Sequence, residues 1–259
     1  MKCPRHAARL GTGQIATFTL PILVMAALLG GSSRAEAQMP AAPASGAAVE
    51  EPELPHAFFT HMGLPEGVGV FNLRTLGLAT RADGQTRADF AFHLETGLTR
   101  RIGLHIRNDQ VRENSHTEAM FQFTALESKD GMRGFAPIIE FEFPTRSGAG
   151  SRIETLVGFT STLGGRNAVF NQVLHYNPRE DGVDASAALV FRLGRRVFPV
   201  VEVLGEGARS MPTVVNLLGG VKVRVREWLH LGLAVQFPVT NAKGLSRQWA
   251  FGPDFEWKR

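Results

Sequence analysis

The chain has 259 residues, 44% of them hydrophobic and 20% charged, with a formal net charge of +4 from 28 Lys/Arg and 24 Asp/Glu. That length allows one large domain or two small ones. The single cysteine, Cys3, excludes a disulfide framework and a Cys-based metal centre.

Residues 1–37 read as a secretory signal. Lys2, Arg5 and Arg9 form a positive start, Ile15 to Leu29 an apolar run, and Ala35-Glu36-Ala37 a small-residue cleavage site. An apolar run of fifteen residues is shorter than the ~20 that a spanning helix needs. Cleavage after Ala37 removes four basic residues, one acidic residue and Cys3, leaving 24 basic and 23 acidic residues. The apparent basicity is therefore a property of the leader, and a nucleic-acid partner is not expected.

Residues 38–55 (QMPAAPASGAAVEEPELP) are rich in Ala, Pro and Glu, lack periodicity and are assigned as a flexible linker. Phe58 to Gly69 follow, a segment expected to enter or cap the periplasmic mouth of the domain over residues 56–259.

From about residue 66 onward, segments of about 8–11 residues alternate apolar and polar positions, with Gly, Pro, Asn, Asp and Arg clustered between them. After a first segment at about 66–80, the second sets Phe90, Phe92 and Leu94 against Asp89, His93 and Glu95. The third sets Ile102, Leu104 and Ile106 against His105 and Arg107. Phe121 and Phe123 then oppose Glu118 and Gln122, and Ile139, Phe141 and Phe143 oppose Glu140 and Glu142. Two less regular segments follow, at about 152–163 and 167–176. Leu189, Phe191 and Leu193 oppose Ser186 and Arg192; Val201 and Val203 oppose Glu202 and Glu206. Val221, Val223 and Val225 oppose Lys222 and Arg224, and the apolar set from Leu229 to Phe237 opposes His230 and Gln236. The last segment, WAFGPDFEWKR, places Trp249, Phe251, Pro253, Phe255 and Trp257 on one face and Asp254 and Glu256 on the other.

These make about 12 strands, an even number as bacterial outer-membrane barrels require. The links alternate in length: TRR, GGRN, GRR and REW are short, while those around residues 109–116, 145–151, 177–182 and 239–246 are longer and polar. One link, LESKDGMRG at 126–134, breaks the alternation and is too long for a tight turn. The expected fold is therefore all-β, an antiparallel up-and-down transmembrane β-barrel. The alternative left open is a soluble periplasmic β-barrel or sandwich that binds a small ligand or a partner protein.

The motif Gly252-Pro-Asp-Phe255-Glu-Trp257 resembles the C-terminal signal by which outer-membrane barrels are recognised for assembly, with Lys258-Arg259 overhanging the usual aromatic terminus. More broadly, HAFFTHMGLPEGVGVFNLR (56–74), GLTRRIGLHIRND (97–109) and VLHYNP (173–178) resemble outer-membrane transporters of Gram-negative bacteria encoded near aromatic-degradation or metal-efflux systems. The resemblance implies an outer-membrane location, a pore or uptake role for small solutes or ions, and contact with outer-membrane lipid and the assembly machinery. It carries no catalytic residues across.

If the apolar faces meet lipid, the lumen receives His93, Glu95, His105, Arg107, Glu140, Glu142, Arg192, Glu202, Glu206, Lys222, Arg224 and His230. An excess of acids there favours cations; the competing expectation is that the charges pair across strands and brace a filled barrel. His93, His105 and Glu95 form an imidazole and carboxylate set, but with no HExxH spacing no metal and no other cofactor is assigned. No G-x-S-x-G motif is present, and Ser186 with His175 on the preceding strand is too common a pair to identify an enzyme.

Overall fold

The computed structural model describes residues 54–112, 116–145, 153–209, 211–240 and 245–258. The expected signal peptide, and the expected linker up to residue 53, lie outside these residues. Leu54 and Pro55, counted with the linker, belong to the folded part: Pro55 is buried and Leu54 packs against the apolar cluster inside the barrel.

The strands run in chain order: β1 (Val70–Ala82), β2 (Gln85–Thr99), β3 (Ile102–Asn108), β4 (His116–Phe123), the two-residue β5 (Leu126–Glu127), β6 (Arg133–Pro144), β7 (Glu154–Gly165), β8 (Ala168–Asn177), β9 (Gly182–Phe191), β10 (Val197–Ala208), β11 (Val214–Arg226), β12 (Leu229–Pro238) and β13 (Leu245–Lys258). Each pairs antiparallel with its chain neighbour, β4 and β5 both pairing with β6. The β1–β13 ladder closes the ring, with Phe71 opposite Trp257 and Leu73 opposite Phe255. The result is a closed barrel of twelve staves with no free sheet edge.

One link behaves differently from its sequence. β5 is the continuation of β4: both lie along β6, and Ala125 N donates to Phe135 O at 3.0 Å across the irregularity between them. The connection that looked too long is therefore strand at both ends, with only five residues left for its turn. Its turn is Ser128–Met132, closed by Ser128 N to Arg133 O at 2.8 Å, with Gly131 at φ 69° and Met132 N donating to the Asp130 carboxylate at 3.1 Å. All five connections at this end of the barrel, the turn end, are short. At the opposite loop end the connections 109–115, 145–153 and 239–244 are longer, 178–181 and 209–213 are of similar length, and Asp83-Gly84 is a tight turn. There both residues have positive φ (49° and 77°), as a two-residue hairpin turn matched to strand twist requires.

The first strand begins at Val70 and not near residue 66. Gly69 has φ 82°, and Val70 N donates to Gly67 O at 3.0 Å, so the chain turns sharply before it enters the sheet. Residues 54–66, which precede that turn, run inside the barrel.

Alternation along each strand separates the two faces. Outside stand Phe71, Phe90, Phe143, Val157, Val201, Val223, Leu231, Leu233, Trp249, Phe251 and Trp257, all exposed. Trp228, Phe255 and Trp257 stack in a row near the turn end, with ring centroids 6.3 and 5.5 Å apart. A band this continuous and apolar is what a hydrocarbon surround covers and water does not. The inside is not uniformly polar. Leu76, Leu78, Val190, Phe198, Val200 and Leu218 point inward and form one cluster with Ala57, Phe58 and Phe59.

Candidate functional site

The lumen is organised around residues 54–67. Ala57, Phe58, Thr60 and His61 are almost wholly buried, although none belongs to a strand. A backbone taken into a barrel interior needs partners for its N–H and C=O groups, and inward-facing side chains supply them. The Glu202 carboxylate on β10 accepts from the successive amides of Phe58, Phe59 (3.0 Å) and Thr60 (2.8 Å), and from the Thr60 hydroxyl at 2.9 Å. Arg74 on β1 donates to the carbonyls of Ala57 and Phe58, and Lys222 on β11 donates to Ala57 O at 3.1 Å. Further along, Asn171 (β8) accepts from Gly63 N at 3.2 Å. Thr160 (β7) donates to Gly63 O at 2.9 Å, and Gln122 (β4) donates to Met62 O at 3.0 Å. Six strands around the ring thus hold one stretch of chain.

Close packing reinforces these bonds. Phe58 lies over Gly220 and Gly232, where a Cβ would meet its ring at 2.7 Å, and Lys222 Nζ sits 5.0 Å from its centroid. At the turn end, a Cβ on Gly97 would stand 2.2 Å from Glu66 O. The glycines mark where the inner chain touches the wall.

The predicted inward residues fall into separate groups. Glu95 receives Arg74 at 2.7 Å and His56 Nδ1 at 2.8 Å, and His56 Nε2 reaches Glu66 at 2.7 Å, a buried chain of charges. Burial disfavours the His56 cation, but Glu95 and Glu66 outweigh it and hold the imidazole well above its ordinary value. His93 meets Asp109 at 2.5 Å, and His105 Nδ1 lies 3.1 Å from His61 Nδ1. Burial, followed by Arg107 and His105, pushes His61 well below its ordinary value, so it is neutral. Lys222 pairs with Asp254 at 2.7 Å, and Arg224 donates to His230 Nε2 at 3.1 Å. Arg107 pairs with Glu118. Arg192 is half-buried after β9, near the turn end. Glu202, expected as a pore-lining charge, is 0% exposed and wholly engaged with the inner segment.

Glu140, Glu142 and Glu206 instead face a cavity of about 690 Å³. Asp83, Gln110 and Thr240 place its mouth at the loop end, and Phe59, His61 and His175 form its floor. Seven carboxyl side chains line it (Asp83, Asp109, Glu118, Glu140, Glu142, Asp184 and Glu206), against Arg87 and Arg107. No residue of the turn end lines it, so among the described residues this vestibule is blind: residues 54–67 stop it. Gln122 was placed on the polar face of its strand from sequence, whereas Thr160 and Asn171 were not singled out. Their signal was weak but present, since each shares strand parity with a neighbouring inward residue.

No family model matches the chain, and no curated protein matches it. Among solved structures, the NanC porin aligns with 6% identity over 70% of this chain and 99% of its own, at a TM-score of 0.53. OmpF of Salmonella typhi, in complex with daunomycin, aligns at 7% identity over 73% and 97% with a TM-score of 0.37. OmpT of Vibrio cholerae, with loop L8 deleted, aligns at 7% over 74% and 99% with 0.35. The chain shares with the NanC porin an all-β, closed, antiparallel, twelve-stranded barrel fold.

Proposed function

We propose that this protein is an outer-membrane channel for small solutes, selective for cations and closed by its own residues 54–67. The observation that carries the proposal is the blind vestibule: a cavity of about 690 Å³, rich in carboxyl groups, that ends on a segment held by hydrogen bonds and not by covalent links. Carboxyl rings in a low-dielectric channel concentrate cations. The porin-like barrel and the exposed aliphatic and aromatic exterior support residence in the outer membrane, in contact with its lipid. On this reading the turn end faces the periplasm. Gly252, Phe255 and Trp257 on β13 then serve as the signal read by the assembly machinery.

The test is conductance in planar lipid bilayers. The native chain is expected to rest closed or nearly so. Glu202→Ala, which removes the acceptor for three amides, should produce openings with cation selectivity, and adding Glu142→Lys should reduce that selectivity. Heat-modifiable migration on gels reports whether each variant is folded. A folded Glu202→Ala barrel that still conducts nothing would reject the channel and leave a closed, braced scaffold.

A further inference from the structure

The floor of the vestibule holds a set of side chains that conduction does not require. His61, carried by the inner segment, is 2% exposed and stands between two walls of the barrel. On one side is His105 of β3. On the other are Glu140 of β6 and His175 of β8, with His175 Nδ1 3.6 Å from Glu140 Oε1, too long for a good hydrogen bond. Ligand atoms of His61, Glu140 and His175 all lie within 4.8 Å of one another. Nε2 of His61, Nε2 of His175 and Oε2 of Glu140 are buried and have no hydrogen-bond partner among the described residues. A buried polar atom that nothing meets is destabilising. Ligand atoms from three separate parts of the chain thus converge, and each of the three residues also carries an unpartnered buried polar atom, so a single occupant that accepts electron pairs from all three residues accounts for the arrangement.

We propose that His61, Glu140 and His175 bind one divalent transition-metal ion of the Zn²⁺ type, which ties residues 54–67 to β6 and β8. Two imidazoles and one carboxylate form a donor set suited to such an ion, and the vestibule leaves a fourth position open to water. A second triad, His61 with Glu95 and His105, has similar spacing, but Glu95 is committed to Arg74 and His56. The choice therefore falls on the Glu140 side. The site depends on where His61 sits and not on whether the barrel conducts.

The experiment uses the full chain refolded in detergent and treated with EDTA. Zn²⁺ is titrated calorimetrically, and Co²⁺ is added in parallel to read the ligand-field spectrum of a bound ion. One ion should bind per chain. Glu140→Gln and His175→Ala should each weaken binding by at least about 10-fold, whereas His116→Ala, outside the cluster, should leave it unchanged. Heat-modifiable migration confirms that each variant is folded. Absence of binding to the folded native chain, or binding that survives both substitutions, overturns the site. Neither result bears on bilayer conductance, so failure here is distinct from failure of the channel.

Discussion

Glu202 shows how much of the lumen can rest on one side chain. Its two oxygens satisfy three consecutive amides and a hydroxyl that would otherwise be buried without partners. Hydrogen bonds to a charged acceptor are worth about 1.5–3 kcal/mol each, and stranded donors add to the loss. Glu202→Ala should therefore loosen residues 58–60 by about 3 kcal/mol or more, seen as roughly 100-fold faster amide hydrogen exchange at Phe58, Phe59 and Thr60. His56 adds a dependence on pH. Its folded value is raised because Glu95 and Glu66 outweigh burial, so its stabilisation is fully present below the ordinary imidazole value of about 6.5. It is lost as pH rises from there through the folded value. In denaturant titrations, the stability gap between the native chain and His56→Gln should be widest on the acid side and shrink steadily as pH rises. A gap that widens with pH would contradict this assignment.

At the scale of elements, β11 and β12 form the bed for Phe58. Gly220 and Gly232 leave room for the ring that no other side chain would leave. Gly232→Leu, whose Cβ would meet the Phe58 ring before anything else, should expel Phe58 from its bed while the ladder with β11 and β13 persists, so the barrel stays heat-modifiable but a protease cuts within residues 54–67 much faster. Unchanged cleavage would mean that the wall yields instead. These elements also explain what could be read from sequence. Strand number, the alternation of link lengths and the pairing of β13 with β1 all follow from period-two patterning and turn residues, which are local. The role of β10 was hidden because both its faces are apolar: Phe198, Val200 and Leu204 point in while Val201 and Val203 point out. Its inward apolar residues pack on residues 54–67, a partner more than a hundred positions away, and no local pattern reports that. The link at 126–134 misled for a related reason, since the irregularity at Thr124-Ala125 breaks the alternation without ending the strand.

The whole molecule has two cores of opposite character. The outer surface offers aliphatic and aromatic side chains to its surroundings, while the interior packs like that of a soluble domain, with an apolar cluster, ion pairs and a central peptide segment. The exterior can be tested directly. Leu233, 50% exposed midway along β12, meets lipid if the barrel spans a membrane. Leu233→Arg should then cost about 2–4 kcal/mol in refolding into bilayers. In a barrel surrounded by water the same substitution would cost almost nothing. The candidate site was legible in its wall, where inward positions such as His93, Glu140 and Lys222 follow from parity, and in part in its filling, since Phe58 to Gly69 were expected to enter or cap the mouth; which wall residues hold that stretch was not, because its sequence carries no period.

The attachment of residues 54–67 to six strands constrains the closure of the ring as well as its resting state. The segment immediately precedes β1, which closes the ring against β13. Glu202, Lys222, Asn171, Thr160 and Gln122 lie on strands that follow it in the chain. Each reaches residues 54–67 only when its own strand has its place in the ring, so the filled lumen and the closed β1–β13 seam depend on one another.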